Sequence, residues 1–308
     1  MTGIATAALN FTDNMMSCHG LDGCHAPLRE HECNWVRGTG AVANQTRSAD
    51  AIAYHDSAVR IQTGRQVQIA PDWFLGMSAG YEHSNLTTDV SSSASADRYN
   101  IGAVLKHQIG PWLFAGALEG GYASVATKRA VGYPTADVTA KSNSSVYHLD
   151  GRLRAAYLFE QGAWYFKPMV DFDLLYVNMP SFSESDAGAL DLRVNQISDT
   201  RFVASPALEL GATVPITDKY SYRPFVSLGA SWNSKDIWSV SSSFEGGPTG
   251  LSFATTTVTP RIYGNVSTGF DVLSVKKKGA VDLRLQYAGQ FADHYVNQTG
   301  AIKFSVRF

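Results

Sequence analysis

The sequence predicts an all-β protein, a transmembrane antiparallel β-barrel of about twelve strands with an N-terminal helix in or near its pore. Three observations favour this fold class. Apolar and polar residues alternate over long segments, short and long connections alternate between these segments, and aromatic residues gather near segment ends. The 308 residues include 27 Gly, 15 Phe and 14 Tyr, and only 17% are charged. This composition is typical of an aromatic-rich β protein.

Composition also argues against several other classes of protein. The formal net charge is −2, and the absence of a basic cluster gives no indication of nucleic-acid binding. No apolar run reaches the roughly 18 residues of a membrane-spanning helix. The opening MTGIATAALNF lacks the basic region and long apolar stretch of a secretory signal. If the protein is exported, we expect its signal upstream, in a longer protein of which this chain is the C-terminal part.

The first predicted unit covers residues 1–32 and contains a helix and a cysteine-containing linker. In GIATAALNFTDNMMSC apolar residues recur at spacings of three and four, which predicts an amphipathic helix of three to four turns. The apolar residues are Ile4, Ala7, Ala8, Phe11, Met15 and Met16. The helix could lie outside the barrel or belong to a disordered tail. We favour a plug in the lumen, because a twelve-stranded barrel would otherwise leave a pore.

All three cysteines, Cys18, Cys24 and Cys33, lie between this helix and the first predicted strand. In an oxidising periplasm two of them could form a disulfide. We favour Cys18 with Cys33, which would join the end of the helix to the start of the strand, although sequence does not prove the pairing. The possible metal ligands considered among these cysteines are His19, His25, His31 and Glu32. The C-x5-C spacing does not match usual zinc sites, so we expect no metal and no other cofactor.

The second predicted unit, residues 33–308, alternates with a period of two. In residues 281–291 one face is apolar and the other is polar, with Asp282, Arg284 and Gln286 on the polar side. Comparable segments occur near 73–82, 99–108, 112–122, 147–159, 166–176, 202–214, 224–232 and 261–272, with weaker ones near 33–43 and 51–67. A soluble β-sandwich also alternates. Its strands usually have five or six residues, whereas many of these segments are long enough to cross a bilayer.

Connections and aromatic residues also favour the barrel. Tight links are predicted near residues 70–71, 110–111, 161–162, 216–219 and 275–279, and longer ones near 87–96, 128–143, 180–196 and 240–252. Short periplasmic turns and longer external loops are typical of outer-membrane barrels. The aromatic residues near segment ends are Trp73, Phe74, Trp112, Trp164, Tyr165, Tyr220, Tyr222, Trp238 and Tyr295. Such residues favour the two membrane interfaces.

The polar face of the strands predicts a hydrated lumen. The charged residues that we expect to line the pore are Glu119, Arg152, Arg154, Asp171, Arg261, Asp271, Asp282 and Arg284. They could hold the helix, line the path of a polypeptide, or simply form the wetted wall. In the last strand, AIKFSVRF, we expect Ile302, Phe304, Val306 and Phe308 to face lipid, and Lys303, Ser305 and Arg307 to face the lumen.

No pair of possible catalytic residues predicts an enzyme. His83 and Ser84 are neighbours in a strand and would point to opposite faces. His55 and Ser57 would share a face, but no third catalytic group accompanies them. The sequence also lacks a phosphate-binding glycine loop. We therefore expect no enzymatic activity. A barrel hydrolase would need a serine and a histidine on one face at the outer rim.

The order of a short helix, a linker and about twelve strands ending in Phe resembles the translocator domain of autotransporters, the type V secretion proteins. The stretches CNWVRGTG, TGRQVQ and WFLGMSAGYEHS resemble the opening strands of that domain, and the overall resemblance covers essentially the whole chain. Some members cleave themselves at adjacent Asn residues in the helix. Asn10 and Asn14 are not adjacent, so the resemblance does not imply self-cleavage here.

The resemblance implies a monomeric barrel in the bacterial outer membrane that exports an N-terminal passenger absent from this chain. Its other partners would be outer-membrane lipid and the barrel assembly machinery. The last strand, with Ile302, Phe304, Val306 and Phe308, resembles the C-terminal signal that this machinery recognises. The alternative is a porin-like or structural barrel with an N-terminal plug. A signal and a long passenger upstream would favour export, whereas a signal alone would favour the porin.

Overall fold

The structure is a computed structural model that describes residues 2–16, 18–21, 28–48, 51–132, 138–248, 250–275 and 279–308. Within these residues, twelve antiparallel strands form a closed barrel. The strands are β1 Cys33–Gln45, β2 Tyr54–Ala70, β3 Trp73–Thr88, β4 Ser92–Ile109, β5 Trp112–Val131, β6 Val138–Tyr157, β7 Trp164–Met179, β8 Ile197–Ala212, β9 Tyr220–Asn233, β10 Ile262–Ser274, β11 Ala280–Ala292 and β12 Tyr295–Arg307. The predicted all-β barrel is confirmed.

Each barrel strand pairs with the next along the chain, and the last pairs with the first. The closing ladder between β12 and β1 runs from Tyr295 opposite Gln45 to Arg307 opposite Cys33. Short strands at Phe159–Gln161 and Val214–Thr217 continue β6 and β8 beside their neighbours. Closure leaves no unpaired wall edge, which is what a sheet surrounded by lipid requires.

The wall is polar inside and apolar outside, the reverse of a soluble protein. On β6, Asp150 is 0% exposed because it points into the occupied lumen, whereas Leu153 is 66% exposed on the outer surface. The alternation predicted for 147–159 is therefore the alternation of the two faces of the wall.

Two rows of aromatic side chains border the apolar outer band. Tyr81, Tyr99, Tyr122 and Tyr147 lie directly opposite one another across β3 to β6. Trp73, His107 and Phe114 form the corresponding row near the other end of β3 to β5. The rows are eight residues apart on each of these strands, which at a tilt of ~40° is a height of about 21 Å. This is close to the thickness of an outer-membrane apolar band.

The two ends of the barrel differ in their connections. The turn end carries the tight links at residues 71–72, 110–111, 162–163 and 218–219, and the link between β10 and β11, of which residues 276–278 are outside the described part. The loop end carries the other connections, including residues 132–137, of which 133–137 are not described. The long loop predicted at 87–96 is wrong, because β3 and β4 stay paired to Thr87 opposite Ser93.

A second sheet lies at the loop end and is called the loop sheet. Its four strands, in spatial order, are Phe182–Ser183, Leu192–Val194, Ile237–Phe244 and Phe253–Val258. They come from the β7–β8 and β9–β10 connections, and a short 3₁₀ helix at Gly188–Leu190 precedes the second strand. The predicted loop at 240–252 is therefore partly wrong, since Ile237–Phe244 forms strand pairs with Phe253–Val258.

The helix α1, Thr2–Met15, lies inside the barrel and contacts β2 to β7. The predicted helix is thus confirmed, and it occupies the lumen. Two short strands, His19–Gly20 and Arg29–Glu30, follow it as an antiparallel pair at the turn end; they are called the linker hairpin. No helix among the described residues has the length and apolarity needed to cross a membrane.

Candidate functional site

Seven of the eight charged residues predicted to line the pore lie on barrel strands with their side chains turned inward. These are Glu119, Arg152, Arg154, Asp171, Asp271, Asp282 and Arg284. Arg261 lies instead in the connection before β10, where it is half exposed and pairs with Asp236 at 3.1 Å. The alternating segment predicted at 261–272 begins one residue too early, because the sheet pairing of β10 begins at Ile262, opposite Trp232.

Polar contacts seat α1 against the wall. The Thr12 hydroxyl donates to Asp150 Oδ2 at 2.8 Å, and the Asn14 amide donates to Gln62 Oε1 at 2.8 Å. Gln62 in turn donates from Nε2 to the backbone oxygen of Phe11 at 3.1 Å. These groups are buried, so their mutual hydrogen bonds replace those that water would have made. The contacts fix both the height and the rotation of the helix.

The apolar side of α1 fits against glycines of the wall. A Cβ atom on Gly80 would lie 3.0 Å from a ring carbon of Phe11, and one on Gly102 would lie 2.9 Å from the Met15 methyl carbon. Phe11 and Met15 are almost completely buried and belong to one cluster with Val104. The wall glycines therefore make the space that the two helix side chains occupy.

Arginines connect the wall to the helix. Arg154 donates to Asp171 through Nε and Nη2, both at 2.6 Å, and its Nη2 also donates to Asp13 of α1 at 2.6 Å. Arg152 donates to Asp173 at 2.5 Å. Both predicted pore-lining arginines thus have wall partners, and both also contact the helix, Arg152 through Nη1 to Asp13 at 3.5 Å. Two-pronged arginine–carboxylate contacts are strong and directional, which makes this a firm point of attachment.

A second buried polar cluster lies beside α1. His148 Nε2 is 3.2 Å from Glu119 Oε1, and Asn100 donates to Glu119 Oε2 at 3.1 Å. Gly121 allows this arrangement, since a Cβ there would lie 2.3 Å from the His148 ring. The strand alternation around 147–159 already placed His148 on the inner face, but no sequence signal identified its partners.

The linker hairpin closes the turn end of the lumen. Cys18 and Cys33 are joined by a disulfide, with their Cα atoms 6.2 Å apart, and both pack with Trp35. This disulfide joins the segment after α1 directly to the start of β1. Cys24 and His25, considered with the linker in the sequence, lie outside the described residues.

Buried charges hold the second strand of the hairpin. Glu30 accepts from Lys106 Nζ at 2.9 Å and from Gln66 Nε2 at 2.9 Å. Its backbone N–H donates to Gln108 Oε1 at 2.9 Å. Burial alone would raise the pKa of Glu30, but the charge of Lys106 and the hydrogen bonds from Gln66 and Lys106 to the carboxylate outweigh it and lower the pKa below its ordinary value. Glu30 is therefore a carboxylate at neutral pH.

The last strand holds the first part of the hairpin. Arg307 donates from Nη1 to the backbone oxygen of Leu21 at 2.9 Å and from Nε to Asp282 at 2.9 Å. Leu21 packs with Leu28 and with Leu273 of β10. The linker thus bonds to β1, β2, β4 and β12 together, and it covers the lumen at the turn end. Sequence reasoning placed Arg307 in the lumen but did not identify this contact.

A polar cavity of about 280 Å³ remains beside α1. It lies between the helix and the wall from β6 through β12 to β1 and β2, and Lys167, Glu209, Asn265 and Gln290 are among its lining residues. Lys167 and Glu209 pair at 3.1 Å. The helix therefore fills one side of the lumen and leaves a wettable path along the other.

The loop sheet covers part of the opposite end. Trp238 is 4% exposed and packs in one apolar cluster with Ile4 of α1 and with Val177 and Ile197 of the wall. The Arg201 guanidinium lies 3.4 Å above the Trp238 ring. The sequence suggested an interfacial role for Trp238, whereas in the structure it is inserted at the mouth of the barrel.

The outer face of β12 carries the predicted lipid-facing residues. Ile302, Phe304, Val306 and Phe308 are 39%, 45%, 43% and 37% exposed, and Lys303 and Arg307 between them are buried on the lumen side. The Phe308 ring lies 4.9 Å from the guanidinium of Arg65.

The residue pairs considered for catalysis are not arranged as nucleophile and base. His83 binds Asp97 at 2.8 Å on the outer face of the wall, whereas Ser84 is buried on the inner face. His55 binds Asn44 at 2.8 Å and not Ser57. Among the described residues, no three or more His, Cys, Asp or Glu side chains form a group that could hold a metal ion.

Comparisons with known proteins agree with this architecture. The family model described as autotransporter beta-domain matches residues 34–302. The translocator domain of the autotransporter NalP from Neisseria meningitidis is similar with a TM-score of 0.77 and 15% identity, covering 100% of this chain and 96% of that one. A search among curated protein sequences finds no match.

Two further solved structures share the fold. The beta domain of the Bordetella autotransporter BrkA gives a TM-score of 0.64 at 15% identity, covering 91% of this chain and 100% of that one. The transport unit of AIDA-I from Escherichia coli gives a TM-score of 0.64 at 12% identity, covering 89% and 90%. With a family match over most of its length and a closed, lipid-facing wall around an internal helix, this chain belongs to the autotransporter beta-domain family of the outer membrane.

Proposed function

We propose that this chain is a translocator domain that carries an N-terminal passenger through the outer membrane to the cell surface. The observation that supports this most is the direction of α1. Its first turn, with Ile4, lies at the loop end beside Trp238, and the residues after it reach Cys18 and the turn end. Because long loops of outer-membrane barrels face outward, a polypeptide joined to residue 2 would emerge on the outside.

The proposed mechanism is physical. The closed wall keeps a polar path through the lipid, and every wall strand has its backbone hydrogen bonds satisfied by its neighbours. In this proposal, residues 1–32 pass through the pore during export and then stay as plug and linker, and residues 33–308 form the barrel. The polar cavity beside the helix is what remains of the path. We propose transport without an enzymatic step and without a cofactor.

We also propose partners for this function. The exposed apolar side chains of the last strand, Phe304 and Phe308 among them, face outer-membrane lipid and would serve as the signal for the barrel assembly machinery. The closed ladder between β12 and β1 completes the wall within one chain, which supports a monomer.

A porin-like barrel is the second candidate. The observation in its favour is the polar cavity of about 280 Å³ beside α1, which could admit water and small ions if the linker hairpin opened. In that case the helix would be a permanent plug, and nothing would have passed through the pore.

Surface display separates the two candidates. A secretion signal and an unstructured epitope are placed before Met1, and the full chain is expressed in a Gram-negative host. For a translocator, external protease removes the epitope from intact cells while the barrel remains in the outer-membrane fraction. An epitope that is cut only after the outer membrane is permeabilised would contradict export and favour the porin-like barrel.

A further inference from the structure

The mouth of the barrel at the loop end has two unlike sides. On one side, Ile4 and Ala8 of α1 pack in a continuous apolar cluster with Val146, Val177 and Trp238. On the other side, Gly3 and Ala7 of α1 border an open space next to β1, β2 and β12. The loop sheet therefore seals the first sector of the mouth, and none of its described residues lines the second, unsealed sector.

The sealed sector is held by specific bonds as well as by apolar packing. Arg201 of β8 donates from Nη2 to the backbone oxygen of Ile237 at 2.7 Å and from Nη1 to that of Lys235 at 3.2 Å. The same guanidinium covers the Trp238 ring. The loop sheet is thus fastened to the wall at the point where Trp238 enters the barrel. A polypeptide could pass there only if these contacts broke.

The unsealed sector is called the exit slot. The small inward-facing residues Ala41, Ala43 and Ala58 are part of its lining on β1 and β2. Tyr54 and Tyr295 border it towards the loop end, and Tyr295 is hydrogen-bonded to Thr6 of α1. The exit slot shares Asn10, Thr39, Arg60 and Asn297 with the polar cavity beside α1. The exit slot therefore adjoins that cavity on the same side of the helix.

The start of α1 borders this slot. A Cβ atom on Gly3 would be 2.9 Å from Asp56 Oδ2 of β2 and 3.4 Å from Arg98 Nη2 of β4. The backbone at the start of α1 thus runs against β2 and β4, at the border of the slot. A segment joined to Thr2 begins its course from this position.

The floor of the slot is rigid. Glu82 pairs with Arg60 through one carboxylate oxygen and with Arg98 through the other. All three side chains are 6% exposed, and buried pairs of this kind are held in place by the cost of separating them. Arg60 and Arg98 consequently stay beside the helix and do not close the slot above it.

We propose that polypeptide joined to residue 2 leaves the barrel through the exit slot, between α1 and strands β1, β2 and β12, and that the loop sheet keeps the rest of the mouth closed. This inference rests on the proposed export function and adds the route. It assigns a role to the alanines of β1 and β2, because small side chains at Ala41, Ala43 and Ala58 leave width for an extended chain.

Site-specific photocrosslinking tests the route. The epitope fusion described above carries a benzophenone amino acid at one of two half-buried positions. The first is Ala43, in the exit slot, and the second is Val240, in the loop sheet. After export, intact cells are irradiated and intramolecular adducts that contain the upstream segment are identified by protease digestion and mass spectrometry. We expect adducts from position 43 and at least tenfold fewer from position 240. Adducts from position 240 instead, or from neither position, would overturn the route.

A blocking variant gives a second readout. Ala43→Trp places a bulky ring in the slot, and Val42→Trp, on the lipid-facing side of the same strand, is the matched control. We expect the first to lower surface display severalfold among barrels that assemble normally, and the second to leave it unchanged. Equal display of the two variants would contradict the inference.

The wild-type fusion separates the two levels of the proposal. If its epitope never reaches the surface, export itself fails and the route fails with it. A second result is that the epitope is displayed, the adducts form at position 240, and the Ala43→Trp variant shows normal surface display. In that case only the route is wrong.

Discussion

At the scale of single residues, the two inward-facing arginines of β6, Arg152 and Arg154, each bind a carboxylate of β7 and also Asp13 of the helix. Period-two alternation suffices to turn Arg152, Arg154 and Asp171 inward, because successive side chains of a strand point to opposite faces. Which carboxylate meets which arginine depends on register and strand tilt, and these follow from closure of the whole barrel. The contact of Arg154 with Asp13 of the helix had no sequence signal for the same reason.

His19 makes docking of the linker hairpin sensitive to pH. Burial, together with the nearby positive charges of Arg284 and Arg223, lowers the pKa of His19 to about 4, against the opposing effect of Asp271. A detached His19 takes up a proton near its ordinary value of 6.5, whereas the docked residue stays neutral. Docking is therefore fully stabilised above about pH 6.5 and weakens as the pH falls from there towards 4.

Single-channel conductance in planar bilayers checks this expectation. We expect the wild type to open more often between pH 6.5 and 4, and His19→Gln to lose this part of the pH dependence. His107→Gln is the matched control, because His107 stacks on Trp73 on the outer face. Identical pH profiles for wild type and His19→Gln would show that His19 does not control docking.

Gly80 tests how α1 is seated. Gly80→Leu would place side-chain carbons in the space of the Phe11 ring, and such overpacking costs about 1–3 kcal/mol. We expect a lower melting temperature, measured by the gel shift that accompanies barrel unfolding, and higher conductance. Gly40→Leu is the control, because nothing lies within 4 Å of a Cβ atom at Gly40. Equal melting temperatures for Gly80→Leu and Gly40→Leu would show that the fit between the wall and the helix does not contribute to stability.

At the scale of elements, long amphipathic strands and the helix were predictable, and short or polar pieces were not. The loop sheet was missed because its Ser- and Thr-rich strands, such as Ile237–Phe244, lack the apolar alternation that marks a wall strand. The sequence pattern predicts a loop in place of the loop-end parts of β3 and β4 for a similar reason. Between the tyrosine row and the loop end, the outward-facing side chains of these strands contact water instead of lipid. The apolar–polar alternation is therefore lost there, although the backbone hydrogen bonds between β3 and β4 continue. The two-residue strands of the linker hairpin depend on distant partners such as Arg307.

The disulfide tests how the linker hairpin is kept in place. Replacing both Cys18 and Cys33 by Ser removes a cross-link between residues 15 apart, which is worth about 3 kcal/mol in chain entropy for a loop of this size. We expect trypsin to cut after the exposed Arg29 several times faster at pH 8, while the barrel stays folded. Cys24→Ser, which keeps the disulfide, is the control. Equal cleavage rates would mean that the buried contacts of Glu30 and Leu21 suffice without the disulfide.

At the scale of the whole molecule, fold and environment determine each other. A wall with apolar residues outside and charges inside is stable only when lipid surrounds it and water or a plug fills it. The apolar–polar alternation, the strand lengths and the alternation of short and long connections therefore predicted both the closed barrel and its membrane environment. Three parts of the chain fill or cover the pore at different levels. The helix α1 lies within the pore, the linker hairpin covers the turn end, and the loop sheet covers part of the loop end.

The terminal residue distinguishes a role in assembly from a role in stability. Phe308 lies at the rim with its ring exposed, so its loss should cost the folded barrel little. We expect Phe308→Ser to lower the amount of folded barrel in the outer membrane severalfold, while refolded protein melts within a few degrees of wild type. Val281→Ser is the control, because Val281 is an equally outward residue opposite Val306. Similar cellular yields of the two variants would argue against a C-terminal signal.

The disulfide also determines how the molecule responds to mechanical force. A pull on polypeptide at the cell surface would travel down α1 to Cys18 and cross directly into β1 at Cys33. Because the disulfide connects Cys18 directly to Cys33, residues 19–32 do not carry the tension. They therefore cannot be extended before the force reaches the wall. From Cys33 the tension spreads into the ladders that β1 makes with β2 and β12, where hydrogen bonds along both edges of the strand would be loaded in shear and would have to break together. The bond between linker and wall thus makes the barrel an anchor against drag on whatever it holds outside the cell.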